Sequence, residues 1–318
     1  MKTIIKQIKQ KNFISAVVYV YRAEDIIENF LGMLYGALDQ NFEKFEIICV
    51  NDASPDKSKA VIEKLAGSFR GCMLSVVNMS YYQGVEASMQ AGVDLAIGDF
   101  VYEFDSADAD YDPDLIMQIY NRSLQGFDIV SCGKSSARAS SRLFYAVYNR
   151  HSGTQYPLKT ETFRILSRRA INRVHSMSLN LPYRKALYAN CGLKVDLIQY
   201  KSKSANAGKK YKSALKNPRD TALTALILFT DAAYRLTLLF TLIMMIATLG
   251  SLGYVVAVYL LGNPVAGYTT MMFLMSGAFF AVFAVLAMVV KYLSVILSLI
   301  FNKQRYVIES IEKIAGEK

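Results

Sequence analysis

The 318-residue sequence has no tryptophan, only two histidines and only four cysteines. Two histidines, His151 and His175, are too few for a histidine-rich metal site. Cys49, Cys72, Cys132 and Cys191 show no close metal-type spacing, so they read as buried thiols in a reducing compartment. The opening MKTIIKQIKQKNF lacks an apolar core long enough for a cleavable signal, and none is expected. No nucleic-acid-binding motif accompanies the net charge of +10. That charge points instead to anionic lipid headgroups, with no nucleic-acid partner.

Charge is also missing from two long runs. Thr237 to Leu261 and Thr269 to Val290 contain no charged residue. A helix needs roughly 20 apolar residues to cross a bilayer core, and both runs meet that length. Only a short GNPVAGY connection separates them, so they predict a transmembrane hairpin. Lys201, Lys203, Lys209, Lys210, Lys212, Lys216, Arg219 and Arg235 precede the first run. Lys291, Lys303, Arg305 and Lys313 follow the second, and the connection has no basic residue. The positive-inside rule then places both termini in the cytoplasm, on the inner membrane.

Ahead of the hairpin, strand-like and helix-like patterns alternate. Phe13–Tyr21, Phe45–Asn51, CMLSVVNM and DFVYEFD read as apolar strands. Between them lie helical segments, in the first of which Ile26, Ile27, Phe30, Leu31 and Leu34 share one face. Ser54, Pro55 and Asp56 form a helix-start signal for the second. This alternation predicts a Rossmann-like α/β domain with a mostly parallel sheet, which binds ligands beyond the carboxyl ends of its strands. The division expected is a domain over 1–216, an amphipathic juxtamembrane helix over 217–236, the spans at 237–261 and 269–290, and a cytoplasmic tail over 302–318.

Asp52, Asp105 and Asp108 fall just past strand ends. Carboxylates there accept from a nucleobase or ribose, or hold a divalent cation on a diphosphate. VYEFDSADADYDPDLIMQIY carries Asp105, Asp108, Asp110, Asp112 and Asp114. Of these, Asp112 with Pro113 and Asp114 reads as a helix start.

Six ordered blocks resemble a family 2 glycosyltransferase of the polyprenyl-phosphate type. FISAVVYVYRAEDIIENFL is similar to the family's opening strand, and FEIICVNDASPDKS to its Val-Asp-Asp-Gly-Ser segment. NMSYYQGVEASMQAGVDLAIGDFV places Gly84 at the family's glycine. SRLFYAVYNRHSG, TFRILSRRAI and NAGKKYKSALK resemble three later blocks. The resemblance implies a GT-A fold and an inverting transferase that moves a sugar from a nucleotide-sugar donor to polyprenyl phosphate, with Mg2+ or Mn2+. A tetrameric homo-oligomer is the assembly it implies. Among its site residues, Asp52, with Tyr21 and Glu24, would contact the nucleotide. Asp105 and Asp108 would hold the metal, with Asp110 in reserve, Arg164 a phosphate, and Lys209, Lys210 and Lys212 a diphosphate or the acceptor. Arg22, Ala23, Ser106 and Thr162 depart from the family pattern, with Glu161 as the carboxylate nearest to Thr162. The Thr162 and Ala23 departures motivate a second reading, a weakened relative that binds nucleotide sugar or lipid as a partner of other glycan-assembly proteins.

Overall fold

In the β-branched run Ile14–Val20 (β1) every side chain is buried, and the same holds for Phe45–Asn51 (β2). Strands buried on both faces need helices on both sides, and the sequence supplies them alternately. In this computed structural model the described residues are 9–135, 145–146, 148–150, 156–177, 184–202 and 306–315, with Ile243 and scattered helical positions between 271 and 296. Lys209, Lys210, Lys212, the helix expected over 217–236 and, apart from Ile243, the first apolar run lie outside them. Among the described residues no helix is long and apolar enough to cross a membrane.

The elements after β1 are α1 (Ile27–Asn41), β2, α2 (Ser58–Ala66), β3 (Met73–Met79), α3 (Val85–Leu95), β4 (Phe100–Phe104) and α4 (Asp114–Ser123). Then come β5 (Ile129–Lys134), β6 (Phe163–Ser167), α5 (Arg168–Ser176), α6 (Arg184–Asn190), β7 (Val195–Tyr200) and β8 (Ile308–Ala315). All eight strands join one sheet in the order β7-β5-β6-β4-β1-β2-β3-β8. Only β6 and β8 run against the others.

Residues from α1, α2 and α4 pack one sheet face, where Phe30 meets Phe104 edge-on at 5.4 Å. Residues from α3, α5 and α6 cover the other. Removing a buried ring such as Phe30 costs about 3–5 kcal/mol in cores of this kind.

Three expectations change. Helix α2 starts at Ser58, and Ser54 instead accepts from the Arg22 amide at 2.7 Å, tying the β2–α2 turn to the β1–α1 turn. Asp56 is a hub rather than only a partner of the dipole, accepting from the Ser54 and Ser58 hydroxyls at 2.6 Å each and from the Glu24 amide at 3.1 Å. The segment expected as a tail carries β8, antiparallel to β3.

Candidate active site

The carboxyl ends of β1, β2 and β4 converge with the starts of α3 and β6. At the end of β1, Tyr21 is buried against Tyr82, with ring centres 4.7 Å apart, and the Arg22 guanidinium lies 5.6 Å from the Tyr21 ring. Arg22 and Ala53 both hold left-handed backbone, with φ of 51° and 49°. For residues with a Cβ this costs about 1–2 kcal/mol each. Such strain at two adjoining strand ends marks the region as one built for more than packing. Glu24 accepts from the Lys57 amide at 2.9 Å, so it braces the two turns.

Asp52 is fully buried. Its Oδ2 accepts from the Tyr19 hydroxyl and the Gly84 amide at 2.8 Å each, and its Oδ1 from the Gln83 amide at 2.7 Å. The carboxylate therefore fixes the loop that opens α3. Gly84 has φ 87° and ψ 163°, a conformation open essentially to glycine alone. Gly84→Ala is expected to destabilise the fold by roughly 1–3 kcal/mol. Chemical denaturation checks this, and an unchanged midpoint would show that the loop relaxes freely.

Around β4 the structure gathers charge that sequence reasoning found only in part. Arg164, at the second position of β6, is completely buried. It reaches Glu103, Asp105 (2.7 Å) and Glu161 (3.2 Å), one through each guanidinium nitrogen. Arg184, in the first turn of α6, meets Glu86 at 2.9 Å and both Glu103 and Asp105 at 2.8 Å. Tyr188 donates to Glu103 at 2.7 Å. Arg164, expected on a phosphate, is thus committed to three carboxylates, and Asp105, Arg164 and Glu161 do come together. Glu86, Glu103, Arg184 and Tyr188 were missed. The only signal for Glu103 was a charge inside an apolar strand, and its Arg164 partner is opposite it in register.

Gly133 makes this assembly possible, because a Cβ there would stand 1.9 Å from the Thr160 carbonyl oxygen. The Thr160–Glu161 segment crosses β5 at that point. Beside Glu161 opens a cavity of about 190 Å³ whose lining includes Ser131, Tyr156, Lys159 and Asp196.

The remaining aspartates divide by partner. Asp110 pairs with Lys134 and accepts from Tyr200 at 2.8 Å and Ser202 at 2.7 Å. Asp112 Oδ1 accepts from the Asp114 amide at 3.3 Å, a helix start as expected. Asp108 is 8% exposed in the turn beyond β4. Thr162 meets the Tyr200 hydroxyl at 3.0 Å.

These contacts test the metal pair. One guanidinium donates to each oxygen of Asp105, so cations already occupy both faces of that carboxylate. Asp105 with Asp108 does not fit a divalent ion in this arrangement. Among the described residues no group of three or more His, Cys, Asp or Glu is placed to hold a metal.

Burial alone would raise the Asp105 carboxyl, but the Arg164 and Arg184 guanidiniums and Lys185 overrule it and hold it well below the usual range. Asp110 is likewise lowered, by Lys134, Ser202 and Tyr200 against its burial. A depressed carboxyl stabilises the fold above its unfolded value, near 3.9, and that contribution is lost as pH falls through the folded value. Stability should therefore be level from neutrality to about pH 5 and decline below about pH 4, as followed by far-ultraviolet circular dichroism. A loss beginning above pH 6 would contradict the assignment.

Comparison with known proteins gives a consistent frame. The sequence pattern described as Glycosyl transferase family 2 matches residues 15–190, more than half of the chain. An uncharacterised glycosyltransferase of Synechocystis is 29% identical over 59% of this chain and 60% of its own length. A bactoprenol glucosyl transferase of Shigella phage SfX is 25% identical over 81% of this chain and 86% of its own. An undecaprenyl-phosphate 4-deoxy-4-formamido-L-arabinose transferase of Edwardsiella ictaluri is 26% identical over 55% and 56%. The match to the Synechocystis protein thus spans about three fifths of that relative.

Proposed function

The chain belongs to glycosyl transferase family 2, and from that premise we propose that it transfers a sugar from a nucleotide-sugar donor to polyprenyl phosphate at the cytoplasmic face of the inner membrane. A lipid-phosphate oxygen attacks the anomeric carbon opposite the leaving diphosphate. One C–O bond forms as the bond to the diphosphate breaks, and the anomeric configuration inverts. The acceptor phosphate is already ionised, so no strong general base is required. Thr162, where the family pattern has a carboxylate, is compatible with that chemistry.

The observation that carries the lipid acceptor is β8. It lies in the same sheet as β1–β4, so the chain between Tyr200 and Ile308 leaves and returns on one side of any membrane it enters. An even number of crossings suits that return, and the two apolar runs would supply two. Met271, Met275, Val282, Leu286 and Val289 are helical and 45–63% exposed, which supports a lipid-facing second run. The names of the bactoprenol and undecaprenyl-phosphate relatives support the same acceptor.

On the donor side, Tyr21, Tyr82 and Arg22 offer an aromatic and cationic edge for the nucleobase. Arg164 and Arg184 are spent on carboxylates, and we assign the diphosphate or acceptor to Lys209, Lys210 and Lys212, which match the family's basic block. The test is the purified full chain with polyprenyl phosphate and a panel of nucleotide sugars, with and without magnesium or manganese. Glycosyl polyprenyl phosphate is the expected product. Nucleotide binding without product across the panel would favour the weakened-relative reading instead.

A further inference from the structure

Strand β8 does more than close the edge of the sheet. Two hydrogen-bond routes run from it to the β2 end. In the first, the Gln83 side chain pairs with the Val307 backbone at both of its ends. Its Nε2 donates to the Val307 carbonyl at 2.6 Å, and its Oε1 accepts from the Val307 amide at 2.9 Å. The Gln83 backbone amide, in turn, is one of the donors that hold Asp52. In the second route, Asn78 donates to Ser310 (3.0 Å) and Glu312 (2.9 Å) and accepts from Asn51 at 3.0 Å. Asn51 then accepts from the Ser54 amide at 3.1 Å. Nearby, Tyr306 donates to Asp94 on α3 at 2.8 Å.

We infer that the C-terminal strand is a positioning element of the nucleotide side: through Gln83 and Asn78 it sets the loop that opens α3 and the turn that follows β2. The inference rests on the donor placement proposed above for its functional meaning, and on the bonds alone for its mechanical one. Seventeen residues, Lys291 to Val307, separate the strand from the second apolar run. Gln83 is the coupling residue between the strand and the geometry around Asp52. Gln83 contributes no charge and does not need to touch the donor to act.

The experiment uses the full chain in lipid nanodiscs. Gln83→Met keeps the volume of the side chain and removes both bonds to Val307. Val307→Pro removes the amide donor from the opposite side and leaves Gln83 in place. Lys59→Met breaks the Lys59–Glu312 pair (2.8 Å), which anchors β8 without contacting the 80–88 loop. Amide exchange over residues 80–88 should quicken roughly tenfold or more in Gln83→Met and in Val307→Pro, the scale of losing one or two hydrogen bonds, while β4 keeps its protection. Lys59→Met should leave exchange of that loop within about twofold. Unchanged exchange in both loop variants overturns the inference, as does equal quickening in Lys59→Met, which would mean general fraying of β8. Titration with UDP and GDP then tests the meaning. The affinity of the nucleotide that binds the native chain should fall about tenfold in both loop variants. A native chain that binds neither nucleotide overturns the donor placement, and the exchange data judge the coupling without it.

Discussion

Arg164→Met is expected to lower the free energy of unfolding by about 3–5 kcal/mol, among the largest effects of any single replacement here. The guanidinium is completely buried and meets three carboxylates, of which Glu103 is also completely buried. Methionine fills the volume but leaves Glu161 without its arginine, and leaves Glu103 and Asp105 to share Arg184. An uncompensated buried charge, rather than the lost attraction, sets the size of the effect. Pairing Arg164→Met with Glu103→Leu separates the two causes, because the second change removes one stranded carboxylate. The double variant should recover part of the loss. With no tryptophan in the chain, denaturant unfolding is best followed by circular dichroism or tyrosine emission. A loss under 1 kcal/mol would mean that this cluster behaves like an exposed ion pair.

The same cluster shows where sequence reasoning stops. Strands β1 to β4 and helices α1 to α4 were legible because apolar runs and a helical stripe alternate. Strand β6 was not, since FRILS places a buried arginine where a strand pattern expects an apolar residue. Its partner Glu103 sits in β4 under the same disguise. Either charge alone argues against burial, and only the antiparallel register that joins them removes the objection. Strand β8 hid for a different reason. Ile308, Ile311 and Ile314 recur at every third position rather than every second, which no regular strand pattern matches. The register against β3 shifts twice, between Leu74 and Ser75 and between Asn78 and Met79. Those bulges let Ile308 pack on one sheet face and Ile314 on the other. At the site, the positions of Asp52, Asp105, Glu161 and Arg164 were legible from strand ends and family blocks. Their partners were not, because an aspartate written in a sequence does not say whether a cation of the protein already holds it.

Asp108→Asn should cut kcat/KM at least 100-fold, about 2.7 kcal/mol of transition-state stabilisation, a loss larger than any shift in the unfolding midpoint accounts for. Its neighbours should behave in the opposite way. Asp105→Asn removes charge from between two guanidiniums, and Asp110→Asn removes the partner of Lys134, so both should first lose stability. Asp112 is occupied with the start of α4. For Asp108 we propose the donor-facing role, because it lies in the turn beyond β4, where such a sheet delivers its ligand. Measuring activity and unfolding on the same three variants separates the roles, since a structural aspartate moves both quantities and a donor-facing one moves activity beyond what stability accounts for. Asp110→Asn has a further consequence, because Tyr200 and Ser202, which that carboxylate holds, shortly precede Lys209 to Lys212 in the chain. Its activity loss should therefore appear mainly in KM, whereas that of Asp108→Asn should appear in kcat. If Asp108→Asn keeps activity within tenfold and Asp110→Asn loses it in kcat, the donor-facing carboxylate is Asp110. Lys134 would then be the cation that the donor displaces.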